Sequence, residues 1–191
     1  MFVVLLLGGL YYRAMLTFLP DLISQLNVTL MFSDSGSLEA SRYIYSGLLL
    51  VGIVGQFIGG KLTDRIPIET GLFLFFMGYT FVSLLFATAV NLGDIPFLIV
   101  SVLLVLVLFG EQPFSQAAVA KHSPSSVRGL SYGFVYVGIF GVGSLGAALA
   151  GSTLTYFGET ALFLVLVVCG LAAASLVTVL DRQAHTETID A

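Results

Sequence analysis

Two ionisable residues stand well inside long apolar runs of this sequence. Arg13 follows Tyr11-Tyr12, and Glu111 precedes Gln112-Pro113 with Gln116 about one turn further on. Charged groups in such positions are costly in a hydrocarbon setting and usually serve a function. Two phenols beside a guanidinium suit an anionic or aromatic small molecule. The alternative is an arginine that snorkels to the headgroups, with the tyrosines as an interfacial belt. Pro113 frees a backbone carbonyl one turn earlier and invites a kink with a polar cavity. At a rise of about 1.5 Å per residue, Glu111 lies about 24 Å from the outer end of its run, and Gln56 about 21 Å from the outer end of another. A polar cluster of Glu111, Gln112 and Gln56 is therefore expected to line a cavity, with Gln116 beside it. Glu111 is then a candidate proton carrier, or else a structural hydrogen-bonding group that ties its helix to a neighbour. Arg13, about 10 Å from its outer end by the same rise, lies at a different depth and is not expected to pair with it.

Other chemistry is thinly represented. No set of His, Asp and Glu has metal-ligand spacing, and no Ser-His-Asp arrangement or phosphate-binding glycine loop stands out. No enzyme, cofactor or metal is expected. His122 and His185 fall in polar segments and are read as solvated. The single Cys169 excludes an intrachain disulfide. A net charge of −4 spread over loops leaves no footprint for nucleic acid.

The elements that must position these residues are set by composition. Of the 191 residues, 58% are hydrophobic and 9% charged, against about 25% charged in a soluble domain. Six apolar runs of roughly 18–25 residues each suffice to cross a hydrocarbon core of about 30 Å. Backbone groups in lipid must be satisfied internally, and runs this long are helices, not barrel strands. An all-α bundle of six transmembrane helices is expected over residues 1–180, with 181–191 a polar, disordered cytoplasmic tail. Met1-Phe2-Val3-Val4 opens without a basic region and reads as the start of a helix, not a signal peptide. The spans run from about Met1 to Pro20, Ser41 to Gly60, Glu69 to Val90, Ile95 to Lys121, Gly129 to Leu154 and Glu159 to Leu180. Asn27, Asp34, Ser35 and Gly36 mark the first loop.

Lys61, Arg65, Lys121, Arg128 and Arg182 fall on one side of these spans and only Arg42 on the other. The excess of basic residues marks the cytoplasmic side, so both termini are expected there, in a multi-pass protein of the cell membrane. The second span carries Gly47, Gly52, Gly55, Gly59 and Gly60; the fifth carries Gly138, Gly141, Gly143, Gly146 and Gly151. Each is the middle span of a triplet, so the chain reads as three plus three, and triplets of odd number insert in opposite senses. Gly138, Gly143, Ala147 and Gly151 are expected to pack helices closely, the last three at the small-xxx-small spacing.

The junction after the second span, Gly60-x-Leu62-x-Asp64-Arg65, resembles the loop signature of the major facilitator superfamily. Gln112-Pro113-Phe114 and Ser123-Pro124-x-x-x-Arg128-Gly129-Leu130-x-x-Gly133 are similar to that family's tenth and eleventh helices. The chain looks like the second six-helix bundle of such a transporter, nearest to the efflux or fosmidomycin-resistance-like branch. Ile66-Pro67-Ile68-Glu69 departs from the family's glycine and basic residues. The resemblance implies a secondary transporter of a small molecule, proton-coupled efflux in kind. Gly60, Asp64 and Arg65 would then form a conformational latch; without the family they read as a solvated, topology-setting turn. Alternating access needs a second bundle, from another six-helix half or a homodimer. The open alternative is a truncated or non-transporting membrane subunit.

Overall fold

In a hydrocarbon slab the backbone's N–H and C=O groups find partners only within the segment itself, and each apolar run accordingly folds as a helix. The computed structural model describes residues 1–26 and 37–189. Its helices are α1 (Phe2–Ser24), α2 (Ser37–Thr63), α3 (Ile68–Ala89), α4 (Asp94–His122), α5 (Arg128–Gly141), α6 (Leu145–Phe157) and α7 (Glu159–Ile189). There is no strand among the described residues. Six helical spans are long and apolar enough to cross a membrane, the fifth being α5 and α6 together. The expected loop at Asn27, Asp34, Ser35 and Gly36 lies outside the described residues.

Three boundaries differ from the sequence reading. Proline does not end α1, which runs through Pro20 to Ser24; the Leu16 carbonyl that Pro20 leaves without its helical donor accepts the Tyr45 hydroxyl of α2 at 3.3 Å. The fifth span is not one rod: a 3₁₀ turn over Val142–Ser144 separates α5 from α6. Gly141 precedes that turn and Gly143 lies within it, and glycine is the poorest helix former after proline. The last helix continues past Leu180 as far as Ile189, so residues 181–189, expected as an irregular tail, extend α7.

Turns are short where glycine permits. Gly93 has φ 106° and Gly158 φ 82°, a region open to glycine without steric cost. Asp94 and Glu159 follow in the first turns of α4 and α7, where negative charge suits the helix dipole.

Glycine also sets how closely the spans approach. On α2, a Cβ at Gly55 would meet the Leu106 carbonyl at 2.6 Å, and one at Gly59 would strike the Gly110 carbonyl, so α2 and α4 touch backbone to backbone. On the fifth span, Gly138 faces Phe2 and Leu6, Gly143 the backbone of Gly9, Gly146 the Leu10 carbonyl and Gly151 the ring of Phe18. Gly138, Gly143 and Gly151 thus lie against α1; Ala147 is only half-buried, and Gly146 makes the closer approach. At the end of the bundle near the α3–α4 turn, Phe86 of α3 stacks on Phe163 of α7 at 4.7 Å and meets Phe97 of α4 at 5.1 Å.

The pairing of spans has a regular plan. The second span packs on the fourth, the fifth on the first, the third on the sixth, the third on the fourth and the sixth on the first. Exchanging the first three spans with the last three maps this set onto itself, the contact of third with sixth being its own counterpart. The contacts of first with second and fourth with fifth, and of second with third and fifth with sixth, also interchange.

Candidate functional site

Tyr11, Tyr12 and Arg13 leave α1 in three directions, because successive helical residues are turned by about 100°. Tyr11 points into the bundle and is 1% exposed. Its ring stacks on Tyr79 of α3 at 4.3 Å between centroids. Its hydroxyl donates to the Tyr79 carbonyl at 3.2 Å and shares a 2.7 Å hydrogen bond with the Ser83 hydroxyl. The expectation of a ligand-facing phenol is corrected here: Tyr11 joins α1 to α3 in the core.

Glu111 is 3% exposed. The Ser115 hydroxyl, one turn along α4, donates to its Oε1, and the Tyr79 hydroxyl donates to Oε2 at 3.4 Å. A buried carboxyl group without partners would be strongly disfavoured, and these two donors meet that demand from two helices. On its other side lies a cavity of about 60 Å³ between α1, α4 and α5, walled in part by Tyr12, Glu111, Gln112, Ser115, Gln116 and Tyr136. Its size and polar lining suit ordered water.

Gln56 is not part of this cluster. The glycines of α2 face α4, and Gln56, one residue from Gly55, is exposed. Counting along a helix fixes depth; it leaves the direction of the side chain free.

Beyond the cavity, polar and aromatic groups continue along α5. The Gln116 side chain donates from Nε2 to the Tyr136 hydroxyl at 2.9 Å, while the Tyr132 hydroxyl donates to the Gln116 carbonyl at 3.0 Å. Tyr136 stacks on Phe140 at 5.7 Å. The Arg13 guanidinium carbon lies 4.6 Å from the centre of the Phe140 ring, within cation–π range. Among the described residues, Arg13 Nε is buried without a hydrogen-bond partner, and the ion pairs are those of Glu69, not of Arg13. Arg13 is the midpoint of α1 (Phe2–Ser24), about 16 Å from either end. It is therefore deeper than expected, because α1 continues beyond Pro20.

The turn after α2 is built differently from a latch closed within the bundle. Asp64 and Arg65 are exposed and form no ion pair among the described residues. A Cβ on Gly60 would meet nothing within 4 Å. The bundle is tied at this end by Glu69 at the start of α3, which receives Lys121 Nζ at 2.6 Å and lies 3.8 Å from His122 Nε2. His122 also bonds through Nδ1 to the Ala118 carbonyl at 2.9 Å.

Sequence reasoning passed over Tyr79, Ser83, Ser115, Tyr132, Tyr136, Phe140 and Glu69. Two of these groups carried a signal. Ser115 stands four residues from Glu111, on the same helix face, and Tyr132, Tyr136 and Phe140 recur at the same spacing. Nothing in the sequence pairs Tyr11 or Glu111 with Tyr79. Comparison with known protein families, curated proteins and solved structures gives no match.

Proposed function

We propose that this six-span bundle is one half of an alternating-access carrier of the major facilitator type, moving a small molecule with protons as the coupling ion and efflux as its direction. The observation that carries this reading is the cavity shared by the buried Glu111 with Gln112, Gln116, Tyr136 and Phe140, the last carrying Arg13 on its ring. Ionisable groups as deep as Glu111 and Arg13 mark ion and substrate paths. The interchangeable contacts of the two triplets support it further, since transporters built from inverted repeats place their sites near the membrane midplane.

In this reading α1, α4 and α5 line the cleft, a second bundle covers it, and both ends of the six-span array face the cytoplasm of a cell membrane. Glu111 holds the proton. It can exchange with water in the adjoining cavity, while Tyr79 and Ser115 hold the carboxyl group in place. The exposed Asp64 and Arg65 are available to a partner bundle, which is where a latch between two rocking bodies has to act.

The test is flux into proteoliposomes that enclose a pH-sensitive dye, with organic anions, cations and sugars offered in turn. The wild-type protein is expected to move protons when its substrate is added, and Glu111→Gln to lose at least tenfold of that flux. Retention of the proton-dependent flux by Glu111→Gln removes the coupling role. Binding without any flux favours the non-transporting subunit.

A further inference from the structure

A second cavity lies on the same side of the bundle, nearer the start of α1. It measures about 600 Å³ and is walled by Phe2, Leu5, Val119, Val127, Leu130 and Phe134. Its volume is that of pockets that enclose drug-sized ligands, and its walls are apolar apart from His122, Ser123 and Ser131. Leu5 belongs to this cavity and also to the small polar one beside Glu111, so the two adjoin. Phe2 and Phe134, both in its wall, are in ring contact at 5.1 Å. The small cavity is walled in turn by Phe140, whose ring carries the Arg13 guanidinium.

Resting on the cleft assignment above, we propose that this groove binds an amphipathic organic anion, its apolar body in the large cavity and its carboxylate or sulfonate head towards Arg13. The charge argument is direct. Arg13 is held against an aromatic face, and among the described residues its Nε has no hydrogen-bond partner and no carboxylate pairs with it. An anion seated beside Phe140 completes it. The length also fits: Leu5 and Arg13 are eight residues apart on one helix, about 12 Å. A membrane lipid is a poor occupant. With its tail among Phe2, Leu5 and Phe134 and its phosphate at Arg13, it would carry its head to mid-membrane and its tail to the end of the bundle.

The experiment is equilibrium binding of 4-(1-naphthyl)butanoate and its uncharged amide to the protein in nanodiscs of zwitterionic lipid, with empty discs subtracted. The carboxylate is expected to bind at least tenfold tighter than the amide. Arg13→Gln abolishes that preference, Arg13→Lys restores part of it, and Leu130→Ala or Phe134→Ala weakens both ligands severalfold. The proposal is overturned by an absence of binding above empty discs or by a preference that survives Arg13→Gln. It is also overturned by affinity indifferent to Leu130 and Phe134, or by displacement of the ligand when anionic lipid is added to the discs. Anion binding without flux leaves this inference in place and removes the carrier. Flux of a sugar or cation, with no binding of the carboxylate, does the reverse.

Discussion

A carboxyl group stays folded inside α4 because two hydroxyls reach it. Removing one of them leaves a buried acceptor short of a partner, at a cost of about 1–3 kcal/mol. Tyr79→Phe is therefore expected to lower the thermal midpoint of the purified protein in detergent, whereas Ser83→Ala leaves Glu111 and its donors untouched and affects only the Tyr11 hydroxyl. Equal midpoints for wild type and Tyr79→Phe would mean that the Tyr79 bond at 3.4 Å contributes nothing. The contrast between Glu111 and Gln56 explains what could be read in the sequence. Both sit deep in apolar runs, and depth follows from counting residues. Whether a side chain turns inwards depends on which face of its helix meets a neighbour. Glu111 shares a face with Ser115 and Phe114, which are buried; Gln56 lies beside the glycine face of α2 and is turned out.

Among the elements, hydropathy was enough to find the six spans, and the glycines of the second and fifth spans pointed to the close contacts, although Gly47, Gly60 and Gly141 approach nothing. Their partners were not legible, because a glycine records that something approaches and not what. The distinction can be tested at two positions that look alike in sequence. A Cβ at Gly146 would run into the Leu10 carbonyl, while one at Gly60 meets open space. Gly146→Leu is expected to cost about 1–3 kcal/mol or more by forcing α1 and α6 apart, seen as loss of a monodisperse peak in size-exclusion chromatography. Gly60→Leu keeps that peak. Identical behaviour of the two variants would contradict the packing of the fifth span on the first.

For the whole molecule, six crossings place the turn after α2 and the turn after α3 on opposite sides of the membrane. With Cys169 replaced by alanine, a cysteine at Arg65 is expected to react with an impermeant maleimide only after the cells are permeabilised. One at Leu92, which is 69% exposed, reacts in intact cells. Labelling of both from the same side would overturn the six-span topology; reversed accessibility would overturn only the orientation. The interruption of the fifth span at Val142–Ser144 bears on how such a body can deform. A continuous rod transmits any tilt along its full length, whereas two rods joined by a 3₁₀ turn bend independently about the joint. α6 is fixed to α1 through Gly146; α5 carries Tyr136 and Phe140 and has Gly138 as its buried residue. Gly138→Leu, which forces α5 away from Phe2 and Leu6, should therefore broaden the distance distribution of spin labels pairing α5 with α1 and leave that of labels pairing α6 with α1 narrow, since the joint does not pass the displacement on.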